Sequence, residues 1–181
     1  MKTIKIAGFC GSLRKDSYNK KVLNVATSLA PESMEIIDVP FDALPLYNQD
    51  LDTETPPAAV SAFLNTLDTV DGLLIVSPEY NYSIPGGLKN ALDWASRGKN
   101  NPLLGKPVSL MGATPGMWGT VRMQAAFLNF FRLFDMKLVM KPEVLINAVQ
   151  TKFDEHGNLT DDFTKQVIQQ NLENLKLLIE K

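Results

Sequence analysis

The sequence predicts a doubly wound α/β domain, a parallel sheet of five strands with helices packed on both faces. Short apolar runs alternate with segments of helical periodicity, and parallel neighbours need such crossover connections. One run, "DGLLIVSP" (71–78), is almost continuous Leu, Ile and Val, the pattern of a central strand covered on both sides. A length of 181 residues supplies one sizeable core and little room for a second, so residues 1–181 are expected to form a single domain.

The elements follow in order. "TIKIAGF" (3–9) is the first strand and ends in a polar loop. "NKKVLNVATSLA" (19–30) places Val22, Ala26 and Leu29 at helical spacing, with Ser17 positioned as an N-cap. "MEIIDVP" (34–40) is a strand closed by proline, and helices are expected near 57–70 and 86–97, on either side of the 71–78 strand. "KPVSLMGA" (106–113) gives the next strand, 119–134 a helix, and "KLVMK" (137–141) a short last strand. In the final helix Ile168, Leu172, Leu175 and Ile179 form one stripe, with Thr160 as the expected cap.

Composition narrows the function classes. With 45% hydrophobic and 21% charged residues the chain has an ordinary globular balance. A net charge of −2 gives no broad basic surface, so nucleic acid is not an expected partner. A single cysteine precludes an internal disulfide and fits a reducing compartment. No apolar stretch approaches the ~18 residues of a membrane span, and the N-terminal apolar run is too short for a signal peptide. A cytoplasmic protein with no membrane contact is expected.

Sheets of this kind bind ligands at the carboxyl ends of their strands, which points to the loops 10–18, 78–86 and 112–119. The first reads "CGSLRKDSYNKK" (10–21). A cysteine phosphatase needs an arginine after five intervening residues. Here Arg14 comes too early, and Asp16, which would repel a phosphate, holds the required position. Neither the P-loop pattern nor G-x-G-x-x-G is present. Hydroxyls from Ser12 and Ser17, the Arg14 fork, the Asn19 amide and a following helix N-terminus suit a phosphate that is bound but not cleaved. A plain polar turn, with Ser17 doing no more than capping, is the other reading of the same residues.

"SPEYNYSIPGGLKNALDW" (77–94) sets Glu79, Tyr80, Asn81 and Tyr82 between two prolines, ahead of Gly86-Gly87. A stiff loop of this kind can present backbone N–H and C=O groups to a flat ring, or it can be an ordered turn whose tyrosines cover the core. "GATPGMWGTVR" (112–122) adds three glycines and Trp118, which suits a pocket wall, a subunit contact or simple packing.

Together, "GSLRKDSYN" after the first strand and "SPEYNYSIPGGLKNALDW" after the third resemble the NAD(P)H-dependent FMN reductase family. This flavodoxin-like group includes bacterial FMN-dependent quinone, azo-dye and chromate reductases. The resemblance spans nearly the whole chain and implies a three-layer sandwich with strand order 2-1-3-4-5. It implies that Ser12, Arg14, Ser17, Tyr18 and Asn19 form the FMN phosphate loop, and that Pro78, Glu79, Tyr80 and Asn81 run along the isoalloxazine ring. Thr114 stands where the family often has a serine, and Ala125 where many members carry a tyrosine after a Gly-Gly-Ala-Arg segment, here Gly119-Thr120-Val121-Arg122.

The residue inventory agrees with cofactor chemistry. There is one histidine, His156, in the turn-like "DEHGN", no Cys/His cluster with metal-ligand spacing, and no G-x-S-x-G elbow. No protein side chain is assigned as catalytic, as expected when a cofactor carries the reaction. The expected activity is hydride transfer from NADPH or NADH to FMN, then reduction of a small acceptor (quinone, azo compound, chromate or flavin) in ping-pong fashion. A flavodoxin-like electron carrier without NAD(P)H oxidation is the alternative. Arg97 suits a nucleotide phosphate or the closing of its own helix. Met123, Phe127, Leu128, Phe130, Phe131 and Phe134 make the 119–134 helix apolar around much of its circumference, from which a homodimer, or a tetramer, is expected.

Overall fold

Successive residues of a strand point to opposite faces, and that alternation sorts the apolar positions of the sheet into two cores. A computed structural model describes residues 3–97 and 101–181 of the chain. The expected domain boundaries also take in residues 1, 2 and 98–100, which lie outside the described residues. The strands are β1 (Ile4–Cys10), β2 (Met34–Asp38), β3 (Gly72–Val76), β4 (Pro107–Ala113), β5 (Lys137–Leu138) and β6 (Val144–Ile146). The helices are α1 (Tyr18–Ser28), α2 (Ala58–Asp68), α3 (Gly86–Ala95), α4 (Val121–Leu133) and α5 (Asp162–Ile179).

All strand pairs are parallel and the order is β2-β1-β3-β4-β5, as the flavodoxin-like resemblance implies. On one face Ala7, Phe9, Leu73, Ile75, Val108 and Leu110 meet α2, α3 and α4. On the other, Ile4, Ile6, Leu74, Val76, Met111 and Ala113 meet α1 and α5. β3 is buried at every position, which is why its sequence shows no alternation. Among the described residues no helix is long and apolar enough to cross a membrane.

Two expectations need correction. The fifth strand does not run to residue 141. β5 pairs with Pro107 and Val108, and β6, a sixth strand, pairs with Met111–Ala113 further along the same edge. Pro142 lies between them and has no N–H to continue a ladder. The carbonyls of Lys141 and Pro142 instead accept from Asn174 Nδ2 and Asn171 Nδ2 of α5, each at 2.8 Å. The cap of α5 is Asp161, whose carboxylate accepts from Thr164 N at 2.8 Å; Thr160 bonds the Lys152 carbonyl across a turn.

The aromatic residues of α4 are mostly used within the chain. Met123, Phe127 and Phe131 are buried, and Phe130 and Phe134 pack against the same core. Phe127 and Phe131 stack with centroids 5.2 Å apart. The large apolar side chains that remain exposed on this helix are Val121, Leu128 and Leu133.

Candidate functional site

Three strand ends meet where glycine permits it. A Cβ on Gly11, just past β1, would lie 2.3 Å from Ser77 Oγ and 3.0 Å from Ser77 Cα. A Cβ on Gly112 would lie 1.9 Å from Thr120 Oγ1 and 2.9 Å from the Ser77 carbonyl oxygen. The loops after β1, β3 and β4 therefore leave the sheet side by side. Their contacts are specific. The Ser12 and Tyr80 hydroxyls are 3.5 Å apart, which joins the first loop to the second. Asn19 joins the first to the third: its Nδ2 donates to the Ala113 carbonyl and its Oδ1 accepts from the Ala113 N–H, both at 2.9 Å.

In the first loop Ser17 caps α1, accepting from Lys20 N at 3.4 Å. The first-turn N–H groups of Tyr18 and Asn19 are left without intrahelical acceptors, and no acidic residue occupies that turn. Such an end favours an anion. Arg14 is exposed and its guanidinium folds back onto the Asp16 carbonyl, close to these donors. Tyr18 packs its ring against Phe153 and under Lys21 Nζ, so the ring serves the loop's outer wall. Burial raises the Cys10 pKa above its ordinary value, and the thiol points at the Ser12 carbonyl 3.4 Å away. A protonated, part-buried thiol is a poor nucleophile, in keeping with the exclusion of phosphatase chemistry.

The second loop is a two-residue turn. Tyr80 and Ser83 exchange backbone hydrogen bonds, and Asn81 (φ +49°) and Tyr82 (φ +64°) both sit in the left-handed region. Asparagine accepts this conformation readily, and tyrosine does so at a cost. The result turns Tyr82 outward, 70% exposed. Glu79 points the other way. Its Oε2 accepts from Arg122 N at 2.9 Å and Met123 N at 3.1 Å, so it caps α4 from another loop. Thr120, the residue in the cap position, is in the left-handed region and makes no side-chain cap bond. Its hydroxyl is buried without a partner among the described residues.

In the third loop Thr114 Oγ1 accepts from Gly116 N at 3.2 Å, while its backbone bonds Ile146 and Val149. Arg122 lies over the Tyr82 ring and near Trp118, an arrangement that links the second and third loops and has no signature in residue spacing. Arg97 closes the end of α3, with its guanidinium over the Tyr47 ring at 5.1 Å.

The donor set fits the two ends of a flavin mononucleotide. Hydroxyls, an arginine and a helix N-terminus suit a phosphate monoester, and the stiff 78–82 backbone beside Tyr80 suits a flat hydrogen-bonding ring. Of the residues drawn from the resemblance, Ser12, Arg14 and Tyr80 border this edge with polar groups on the loops, and Ser17 is buried with its hydroxyl accepting from Lys20 N. Pro78 and Asn81 contribute backbone, and Thr114 a hydroxyl engaged within its turn. Asn19 and Glu79 have their side-chain groups committed to Ala113 and α4.

Fold and site together define a flavodoxin-like α/β protein whose loops after β1, β3 and β4 converge at one edge of the sheet. Comparison with known proteins narrows this. The family model for NADPH-dependent FMN reductase matches residues 4–151. An NAD(P)H-dependent FMN reductase of Pseudomonas aeruginosa is 42% identical over 178 residues, covering 98% of this chain and 96% of its own. A 2-hydroxy-1,4-benzoquinone reductase of Burkholderia is 41% identical, over 92% of this chain and 91% of its own. Among solved structures, the NAD(P)H:(acceptor) oxidoreductase FerB of Paracoccus denitrificans superposes with a TM-score of 0.89 at 33% identity, covering 98% of both chains. The chain belongs to the NADPH-dependent FMN reductase family.

Proposed function

We propose that this chain is an FMN-dependent oxidoreductase built on a single domain, taking hydride from NADPH or NADH and passing the electrons to a small acceptor. Quinones are the first acceptor class, ahead of azo compounds, chromate and free flavin, because several relatives at 40–44% identity are named for quinone reduction. The observation that carries the reading is the convergence of three loops at one sheet edge, joined through Ser12–Tyr80 and Asn19–Ala113.

In this reading Ser12, Arg14, Ser17 and the first turn of α1 hold the phosphate end of FMN, while residues 78–82 and Thr114 flank the ring. When bound, FMN supplies the chemistry of accepting hydride and delivering electrons. The protein's part is to orient, through a loop that Glu79 anchors on α4 and that the left-handed pair Asn81-Tyr82 keeps tight. Backbone N–H groups of that loop not used within the turn would favour negative charge on a ring bound beside them.

We also propose a homodimer, supported by the exposed Val121 and Leu128 on α4 beside Met140, around a cavity of about 160 Å³. The lone cysteine suits the reducing cytoplasm.

The test is anaerobic mixing of FMN-loaded protein with NADPH and with NADH. Bleaching of the flavin absorbance followed by quinone-dependent recovery is expected. Retained colour with both donors means an electron carrier. A protein that binds no FMN refutes the reading.

A further inference from the structure

We propose that Arg122, laid between Tyr82 and Trp118 at the mouth of the site, selects planar electron acceptors that carry one negative charge, such as ionised or sulfonated quinones. The proposal rests on the oxidoreductase reading and adds the acceptor's charge to it.

The guanidinium carbon lies 4.2 Å from the Tyr82 ring centroid and 5.4 Å from that of Trp118. Both rings stand largely in water, 70% and 64% exposed, on the loops that flank the proposed flavin edge. Two large aromatic faces left exposed around one cation form a recognition surface more readily than a packing surface. The cation itself is under-used. Its nearest carboxylate oxygen, Glu79 Oε1, is 3.7 Å away, beyond hydrogen-bond reach. The other oxygen of Glu79 is committed to the backbone of Arg122 and Met123. Among the described residues the guanidinium makes no hydrogen bond, whereas that of Arg14 is bonded to the Asp16 carbonyl.

A guanidinium stacked on rings keeps its edge donors pointing outward. A conjugated anion can continue the stack and accept from that edge in one pose. The charge balance selects further. One cation, loosely offset by Glu79 and joined to no other lysine or arginine in the cluster, matches a single delocalised charge. Phosphate dianions find better provision in the first loop, where Arg14 and the end of α1 come together.

The experiment compares the FMN-loaded wild type with Arg122→Met and Arg122→Lys. The acceptors are a naphthoquinone sulfonate and a neutral methyl naphthoquinone, at fixed NADPH. The ratio of kcat/KM for sulfonate over neutral acceptor is expected to fall about tenfold in Arg122→Met, chiefly through KM, with partial recovery in Arg122→Lys. A second readout needs no turnover. Trp94 is fully buried, so quenching by a non-reducible naphthalene sulfonate reports Trp118, with Trp118→Phe as control. Its affinity should fall by a similar factor in Arg122→Met.

An unchanged ratio overturns the proposal, as does a KM rise confined to NADPH or a loss that follows a change in sedimentation. If the wild type reduces no quinone, the oxidoreductase reading fails instead. The quenching titration then still decides whether Arg122 prefers the anion.

Discussion

Asn19→Ala separates a clasp from a ligand. The Asn19 side chain is 4% exposed and Ala113 is 2% exposed, so water has no ready access to replace the pair of 2.9 Å hydrogen bonds between them. Truncation leaves the Ala113 N–H and C=O buried without partners, and each such group costs about 1–3 kcal/mol. A total of about 4 kcal/mol follows for the two groups, which for a chain of this length lowers Tm by roughly 8–16 °C. The clasp sets the distance between the first and third loops, so FMN and riboflavin should lose affinity by the same factor. Asn19→Asp keeps an acceptor for the Ala113 N–H but turns a carboxylate toward the Ala113 carbonyl and toward the phosphate loop. It should lose FMN affinity more than riboflavin affinity. The assay is differential scanning calorimetry paired with flavin titrations of both ligands. An Asn19→Ala protein with wild-type Tm and a loss confined to FMN refutes the clasp and makes Asn19 a phosphate ligand.

Arg14→Ala should behave in the opposite way. Tm stays within about 1 °C, as for an exposed side chain, while FMN affinity falls at least tenfold and riboflavin affinity little, measured by the same titrations. Gly112→Ala places a methyl group 1.9 Å from Thr120 Oγ1 and against the Ser77 carbonyl, so roughly 2–4 kcal/mol of stability should be lost in denaturant unfolding. Adding Thr120→Ser, which keeps the clashing oxygen, should not rescue it, whereas Thr120→Ala should rescue it in part. Asp161 has its pKa lowered to about 2 by hydrogen bonds from Thr164 and Lys152, against an ordinary value of 3.8. Its contribution to stability is therefore complete above about pH 4 and lost as pH falls through 2. Allowing for solvent screening this amounts to about 1 kcal/mol, and Asp161→Ala should flatten the acid limb of the stability curve by that much.

Much of the fold was legible because its signals are local. The unbroken apolar run of β3 and the 3.6-residue stripe of α5 each follow from which faces are covered. The short edge was not legible. Three residues of β6 carry no periodicity, and they become a strand only because β4 offers free backbone groups beside Met111–Ala113. The cap of α5 shows a finer limit: Thr160 and Asp161 are both competent, and the path of the preceding turn gives Thr160 to Lys152 and Asp161 to the helix. Likewise the phenylalanines of residues 119–134 read as surplus, yet the core of their own chain takes them up: Phe127 and Phe131 are buried in it and Phe130 and Phe134 pack against it.

By itself the sequence determined the order of layers, the three polar loops that the strands end in and the phosphate-suited chemistry of the first, because composition and short-range spacing dictate these. The tertiary structure decided which polar groups remain available there. Asn19 is bound to a backbone 94 residues away and Glu79 to a helix end 43 residues away, while the Arg122 guanidinium is left stacked and, among the described residues, without a hydrogen bond. A side chain's chemistry is written in its type, but its availability depends on partners brought near only when distant segments pack.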